Sequence, residues 1–136
     1  MQSLKKIDET TNVITWFEIP VSDIDRAKKF YETILDIEMV KRADGNDEAV
    51  FFPFNPGVVQ ATSGRVTGIL SKTARNNPSG NGTVVYINAS PYIQTVLDKV
   101  EQTGGKIIAP KMQIPAGFIA IIIDTEGNKI GLYAEQ

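Results

Sequence analysis

VITWFEIPVSDIDRAKKFYETIL, residues Val13 to Leu35, changes its periodicity halfway along. Val13, Thr15, Phe17 and Ile19 alternate with Ile14, Trp16, Glu18 and Pro20, and the β-branched and aromatic content predicts a strand. Pro20 ends it by removing a ladder donor. Ser22 or Asp23 then offers a side-chain oxygen as helix N-cap, and Asp23 and Asp25 suit the positive helix end. Ile24, Ala27, Phe30, Tyr31, Ile34 and Leu35 recur at helical spacing and form one apolar face. A strand therefore leads through a capped turn into a helix that folds back over it. If Phe17 and Ile19 pack under that helix, Trp16 and Glu18 share the opposite strand face.

The 136 residues suit a single domain, residues 1–136, with a substantial core. A net charge of -2 gives no electrostatic case for nucleic acid or an anionic membrane, so neither is an expected partner. The polar start MQSLKKIDETTN contains no apolar leader, and a cytoplasmic location is the expectation. The most apolar run, Phe118 to Ile123, is far too short to span a bilayer. There is no cysteine and no histidine. That removes disulfides, thiolate nucleophiles, Ser-His and Cys-His machinery, and every imidazole or thiolate metal ligand.

Further along, Ile37 to Val40 reads as a strand, and Asp44-Gly45 turns it into Ala49 to Phe52. Val58 and Val59 could open another strand, followed by Val66 to Leu70. The loop-like run NNPSGNG, within residues 73–82, separates a first module (about 12–72) from a second (about 83–135). The second opens with Thr83 to Asn88 as a strand, Ser90 as N-cap and Pro91 at the first helical position. Ile93, Val96, Leu97 and Val100 give a helical face that Gly104-Gly105 ends. Strands follow at Lys106 to Ala109, Phe118 to Ile123 and Lys129 to Tyr133, the last two joined by Asp124-Thr125-Glu126-Gly127-Asn128. Each half thus reads β-α-β-β-β, a repeat of order with negligible identity.

The phrases EIPVSDIDRAKKFYETIL, LDKVEQTGGKIIAPK and FIAIIIDTEGNKIGLY, in that order, resemble the glyoxalase/bleomycin resistance/extradiol dioxygenase (vicinal oxygen chelate) superfamily. The resemblance implies an α+β fold of two tandem βαβββ modules, forming a curved, cup-shaped mixed sheet with the helices on its convex side. It also implies a homodimer and chemistry or binding inside the cup. In metal-using members the ligands come from cup-facing strand positions. Carried over, these fall on Trp16, on Val84 or Val85, near Thr67 or Gly68, and on Gly131. None is a side-chain metal ligand, and a facial-triad iron site needs histidines that are absent. No cofactor is expected. An all-carboxylate magnesium or calcium site is left open, with Glu18 the one obvious acid in the cup.

Alternation puts Trp16 and Glu18 in the cup, with Gly131 and Tyr133 from the last strand. Tyr86 with Asn88, or else Val85 with Ile87, joins them from module two, and Phe52 is an expected contributor from module one. The inward face of Phe118 to Ile123 is not decided by pattern. Such a pocket suits a small aromatic or apolar molecule, and a metal-free binding protein is the leading expectation. Bleomycin-resistance members are strongly acidic toward a cationic ligand; 16 acids against 14 bases do not support such a ligand here. A lyase or isomerase of the glyoxalase type with Glu18 as general base, with or without a divalent metal, is the alternative. A third reading is an inactive remnant, its cup filled by Trp16 and serving dimerisation. Glu18 could also simply pair with a base such as Arg65.

Overall fold

The computed structural model describes residues 7, 9, 11–58 and 66–136. In chain order they form β1 (Phe17–Pro20), α1 (Ile24–Leu35), β2 (Val40–Asp44), β3 (Asp47–Phe51) and β4 (Gly68–Lys72). The second module supplies β5 (Val85–Asn88), α2 (Ile93–Val100), β6 (Lys106–Ile114), β7 (Gly117–Ile123) and β8 (Lys129–Ala134). The sheets have the orders β1-β4-β3-β2 and β5-β8-β7-β6. In each, the first strand runs parallel to the last and the other pairs are antiparallel. This is the α+β architecture of two βαβββ units. Among the described residues, no helix is long and apolar enough to cross a membrane.

Each helix covers one face of its own sheet, and the two helices pack on each other. From α1, Ile24, Ala27, Phe30, Tyr31 and Ile34 are buried; from α2, Ile93, Val96, Leu97 and Val100. Beneath them lie Ile19, Val50 and Leu70 of the first sheet and Ile87, Ala120, Ile122, Ile130 and Leu132 of the second. Asp23 is the α1 cap, its carboxylate accepting the Arg26 N–H at 3.0 Å. Gly105 has a packing reason: a Cβ there would stand 2.7 Å from the Phe30 ring, so the glycine lets α1 press against module two.

Several local expectations shift. β1 starts at Phe17 and not Val13, because its partner β4 starts at Gly68, directly opposite Phe17. Val13 and Ile14 lie outside it and exposed. The first hairpin pairs Val40–Asp44 with Asp47–Phe51, so both strands are displaced from the expected spans. Val58 is in no strand and Val59 lies outside the described residues. Ser90 is not the cap of α2. Tyr92 precedes that helix without a side-chain cap, and the Ser90 N–H donates to Asn88 Oδ1. Gln136, after β8, takes the cap's place: the Ile93 N–H donates to the Gln136 carbonyl, and the Gln136 N–H to the Pro91 carbonyl.

The modules are latched by the DTEGN turn. Asp124 is buried and accepts the Tyr31 hydroxyl of α1 at 2.7 Å. Burial, then the Asp124 charge, push the Tyr31 phenol well above its usual range. Glu126 accepts the Ser22 and Asp23 N–H groups, both at 2.8 Å, and holds Arg26 through two nitrogens. Burial pushes the Glu126 carboxyl up, but the Arg26, Asp23, Thr125 and Ser22 hydrogen bonds outweigh it and bring its pKa from 4.5 to about 2.

A group whose folded pKa is depressed contributes stability above its unfolded value and loses it as pH falls. The Glu126 contribution is therefore present above pH 4.5 and disappears on acidification toward pH 2. Glu126→Gln should cost about 1–3 kcal/mol at neutral pH, the range for hydrogen bonds to a charged group. Urea melts of both proteins between neutrality and pH 3 test this. The difference between them should shrink on acidification; a constant difference would place the latch's strength elsewhere. Tyr31→Phe should cost about 1–3 kcal/mol by leaving Asp124 short of a donor, with little change in that acid limb.

Candidate functional site

The sheet faces away from the helices carry the expected site residues, but on two separate hollows. In the first, Glu18 of β1 stands beside Ile69 of β4, with Phe51, Arg42 and Ser71 around a cavity of about 370 Å³. Trp16, just before β1, meets the Phe51 ring edge-on at 5.9 Å, and Phe54 approaches Phe51 from the other side at 6.4 Å. The Arg42 guanidinium lies 5.4 Å from the Phe51 ring centre, a cation–π contact. Trp16 and Phe51 are half-buried, and Glu18 is exposed with no ion pair or hydrogen bond among the described residues.

Phe52 does not line this cavity, although it shares a neighbouring one of about 330 Å³ with Phe51, Phe54 and Arg42. It is buried on the helix side, 5.6 Å from the Phe17 ring and 5.7 Å from Tyr31. The antiparallel register pairs Phe51 with Ile69 and Val50 with Leu70. Phe51 therefore shares the Glu18 face, while Val50 and Phe52 point to α1. Arg65, considered as a partner for Glu18, lies outside the described residues.

On the second sheet the register settles the one-residue ambiguity. Tyr86 pairs with Gly131 and Asn88 with Tyr133, while Ile87 sits against Leu132 in the core. Tyr86 and Asn88 thus face the hollow, and Val85 and Ile87 do not. β7 pairs Ala120 with Leu132 and Ile122 with Ile130, so Ile119, Ile121 and Ile123 face the hollow. Ile119, Ile121, Ala109 and Met112 line a largely apolar cavity of about 280 Å³. The Tyr86 ring lies flat on Gly131: a Cβ there would stand 2.5 Å from it. Asn88 Oδ1 is taken by the Ser90 N–H, and the Tyr133 hydroxyl donates to the Ala116 carbonyl at 2.7 Å. The Tyr133 hydroxyl and the Asn88 carbonyl oxygen are therefore committed to local structure, while the Asn88 Nδ2 donors are not, among the described residues.

Comparing the modules by strand pairing, Glu18 opposite Ile69 corresponds to Tyr86 opposite Gly131. The four positions a metal would use are then Trp16, Ile69, Val84 and Gly131, with Ile69 replacing Thr67 or Gly68. Thr67 is instead buried, its hydroxyl donating to the Pro53 carbonyl. None of the four offers an N, O or S side-chain donor, so these residues do not fit a metal. Among the described residues, no three His, Cys, Asp or Glu side chains gather as a ligand set.

The model of the Glyoxalase/Bleomycin resistance protein/Dioxygenase superfamily matches residues 13–132, and the chain belongs to that superfamily. Solved structures share the fold. A glyoxalase/bleomycin resistance protein from Albidiferax ferrireducens is 19% identical with a TM-score of 0.67, over 92% of this chain and all (100%) of that one. TnmS3, an antibiotic binding protein from Streptomyces, is 20% identical at TM-score 0.61, over 90% of this chain and 95% of that one. The Leishmania major glyoxalase I is 20% identical at TM-score 0.63, over 92% and 88%. No curated protein matches.

Gly131→Ala should force the Tyr86 ring off the sheet and cost about 1–2 kcal/mol, the range for adding a methyl to a filled space. In a Tyr86→Ala background the same change should cost almost nothing. Chemical denaturation of the four proteins in that cycle gives the coupling, and strict additivity would mean the ring does not rest on Gly131.

Proposed function

We propose that this chain is a metal-free binding protein for a small aromatic or apolar molecule, held against the hollow faces of its sheets. We further propose that two copies pair so that these hollows close over the ligand. The observation that carries the reading is aromatic surface left open on the faces the helices do not cover. Phe51 lines one hollow and touches the Trp16 and Phe54 rings beside it, and Tyr86, 50% exposed, lies in the other. The second hollow is almost wholly apolar, while the first sets Phe51 and Ile69 among polar side chains such as Glu18, Arg42 and Ser71; apolar surface with convergent polar groups is the make-up of a small-molecule site. Arg42 and Glu18 are the charged groups of the first hollow best placed to orient a ligand's polar end. Phe51 takes the place expected of Phe52. The likeness to an antibiotic binding protein supports a binding role. Glu18 enters as an orienting carboxylate, since nothing beside it marks a proton to be abstracted.

Trp16 is the single tryptophan and so a built-in reporter. Titration with anilinonaphthalene sulfonate, alongside sedimentation equilibrium, should give saturable quenching of Trp16 in a dimeric protein. Tyr86→Ala should weaken binding about tenfold, as loss of an aromatic anchor does. Chelators should leave both binding and melting temperature unchanged. A monomer whose Trp16 emission ignores aromatic probes would sink this reading, and a chelator-sensitive melt would return it to metal chemistry.

A further inference from the structure

A second crevice, of about 330 Å³, lies where the modules meet. Its walls are the edge strand β1 (Glu18 to Pro20), the connecting loop with Asn76 and Asn77, and Asn128 to Ile130 at the start of β8. One wall is locked. Asn128 accepts the Ser79 N–H at 3.1 Å and donates to the Pro20 carbonyl at 2.7 Å and to Asp124 at 3.0 Å, which ties loop, strand and turn together. Its amide is saturated and has nothing left for a ligand.

Ser79 is likewise engaged, its hydroxyl accepting the Asn81 N–H at 3.0 Å, but five other polar side chains of the crevice are not. Asn76, Asn77 and Thr83 make no side-chain hydrogen bond, and Glu18 and Lys129 no ion pair, among the described residues. Other opposite charges on the surface do pair, as Lys41 does with Asp25 and Arg75 with Asp47, although Arg42 and Glu18 in the first hollow do not, among the described residues. Here a carboxylate and an ammonium line one crevice and stay apart, with free primary amides between the same walls. Each amide offers two donors and an acceptor. No aromatic residue lines the space; its apolar part is Ile19, Val85 and Ile130. Glu18 also lines the first hollow, but no aromatic ring faces this space as Phe51 faces that one.

We propose that this crevice binds a small zwitterion of the amino-acid or short-peptide class. Its carboxylate meets Lys129, its ammonium meets Glu18, and its polar middle is read by the Asn76 and Asn77 amides. The volume is at the small end of ligand sites, about 300–1,000 Å³, and suits a ligand of dipeptide size. Charge-assisted hydrogen bonds at both ends supply the selection against neutral molecules of equal size.

The test is a nitrogen-15 NMR titration of the full chain with alanyl-alanine, with its N-acetylated form and with its C-terminal amide. The expected result is saturable shifts in the amides of residues 76–83 and 128–130. Binding should be about tenfold weaker when either end is blocked, the loss of one hydrogen bond to a charged group. Lys129→Gln should weaken alanyl-alanine by a similar factor while the Trp16 response to aromatic probes stays as it was, since Lys129 lines neither hollow cavity. Asn77→Ala, on an exposed loop, repeats the test should the β8 substitution disturb folding. Absence of shifts at millimolar peptide, equal binding of the blocked forms, or shifts confined to the surroundings of Phe51 and Tyr86 would each overturn the proposal.

Discussion

The carboxylate of Asp124 holds the two modules in one arrangement. One oxygen accepts the Glu126 and Asn128 N–H groups, and the other accepts the Tyr31 hydroxyl and the Asn128 amide. At 3% exposure, a charge with fewer partners would be costly to bury. Four donors satisfy it, and they come from both modules. Asn128 passes the connection on to the Pro20 carbonyl at the end of β1. The helix and the first strand of module one are thus hung from a single turn of module two. Glu126 adds a second tie by closing the first turn of α1, where a carboxylate suits both the free N–H groups and the helix dipole. Everything the outer sheet faces present to a ligand depends on this turn keeping its shape.

That division of labour explains the distribution of polar groups. Between helices and sheets the few buried polar atoms are paired: Asp124, Asn128 and Thr67 each have named partners. On the hollow faces and in the crevice paired groups such as Tyr133, Asp47 and Asn128 stand beside unpaired ones. Glu18 and Lys129 remain without ion-pair partners among the described residues, and Tyr86 rests on a glycine where a larger residue would have lifted it. The buried core thus lies on one side of each sheet, and the other side keeps polar and aromatic groups at the surface.

Much of this was legible in the chain. The alternation of Phe17 and Ile19 against Trp16 and Glu18, and the apolar spacing along α1 and α2, have direct physical periods, and both helices lie where that spacing put them. The misreadings occur where a local pattern carries no period. FFPF presents three phenylalanines around a proline, and only the pairing of Phe51 with Ile69 reveals which ring faces outward. An unbroken run such as Phe118 to Ile123 fits either face until Ala120 is seen opposite Leu132. Ser90 looked like a cap because sequence cannot show that Gln136, after β8, meets the Ile93 N–H. The Arg26–Glu126 and Tyr31–Asp124 contacts span 100 and 93 residues, so no local signal could announce them.

The open hollows also bear on assembly. A drug-sized ligand in a good site has about 70–90% of its surface covered. A single sheet face touches one side of a flat molecule, and in this chain the two hollows are lined by separate sheets without a shared cavity among those described. A ligand stacked on Phe51 or Tyr86 therefore needs a second surface to approach that coverage. In the dimer proposed above a second copy would supply it with no new chemistry, since a two-fold axis allows one chain's first hollow to face the other's second. Phe51 and the rings beside it, with Arg42 and Glu18, would then stand across from Tyr86 and the Ile119–Ile121 wall. In that proposed dimer Trp16 would separate the outcomes: with a ligand between the sheets its ring would meet the guest, and with none it would pack on the partner, leaving a filled interface and no site.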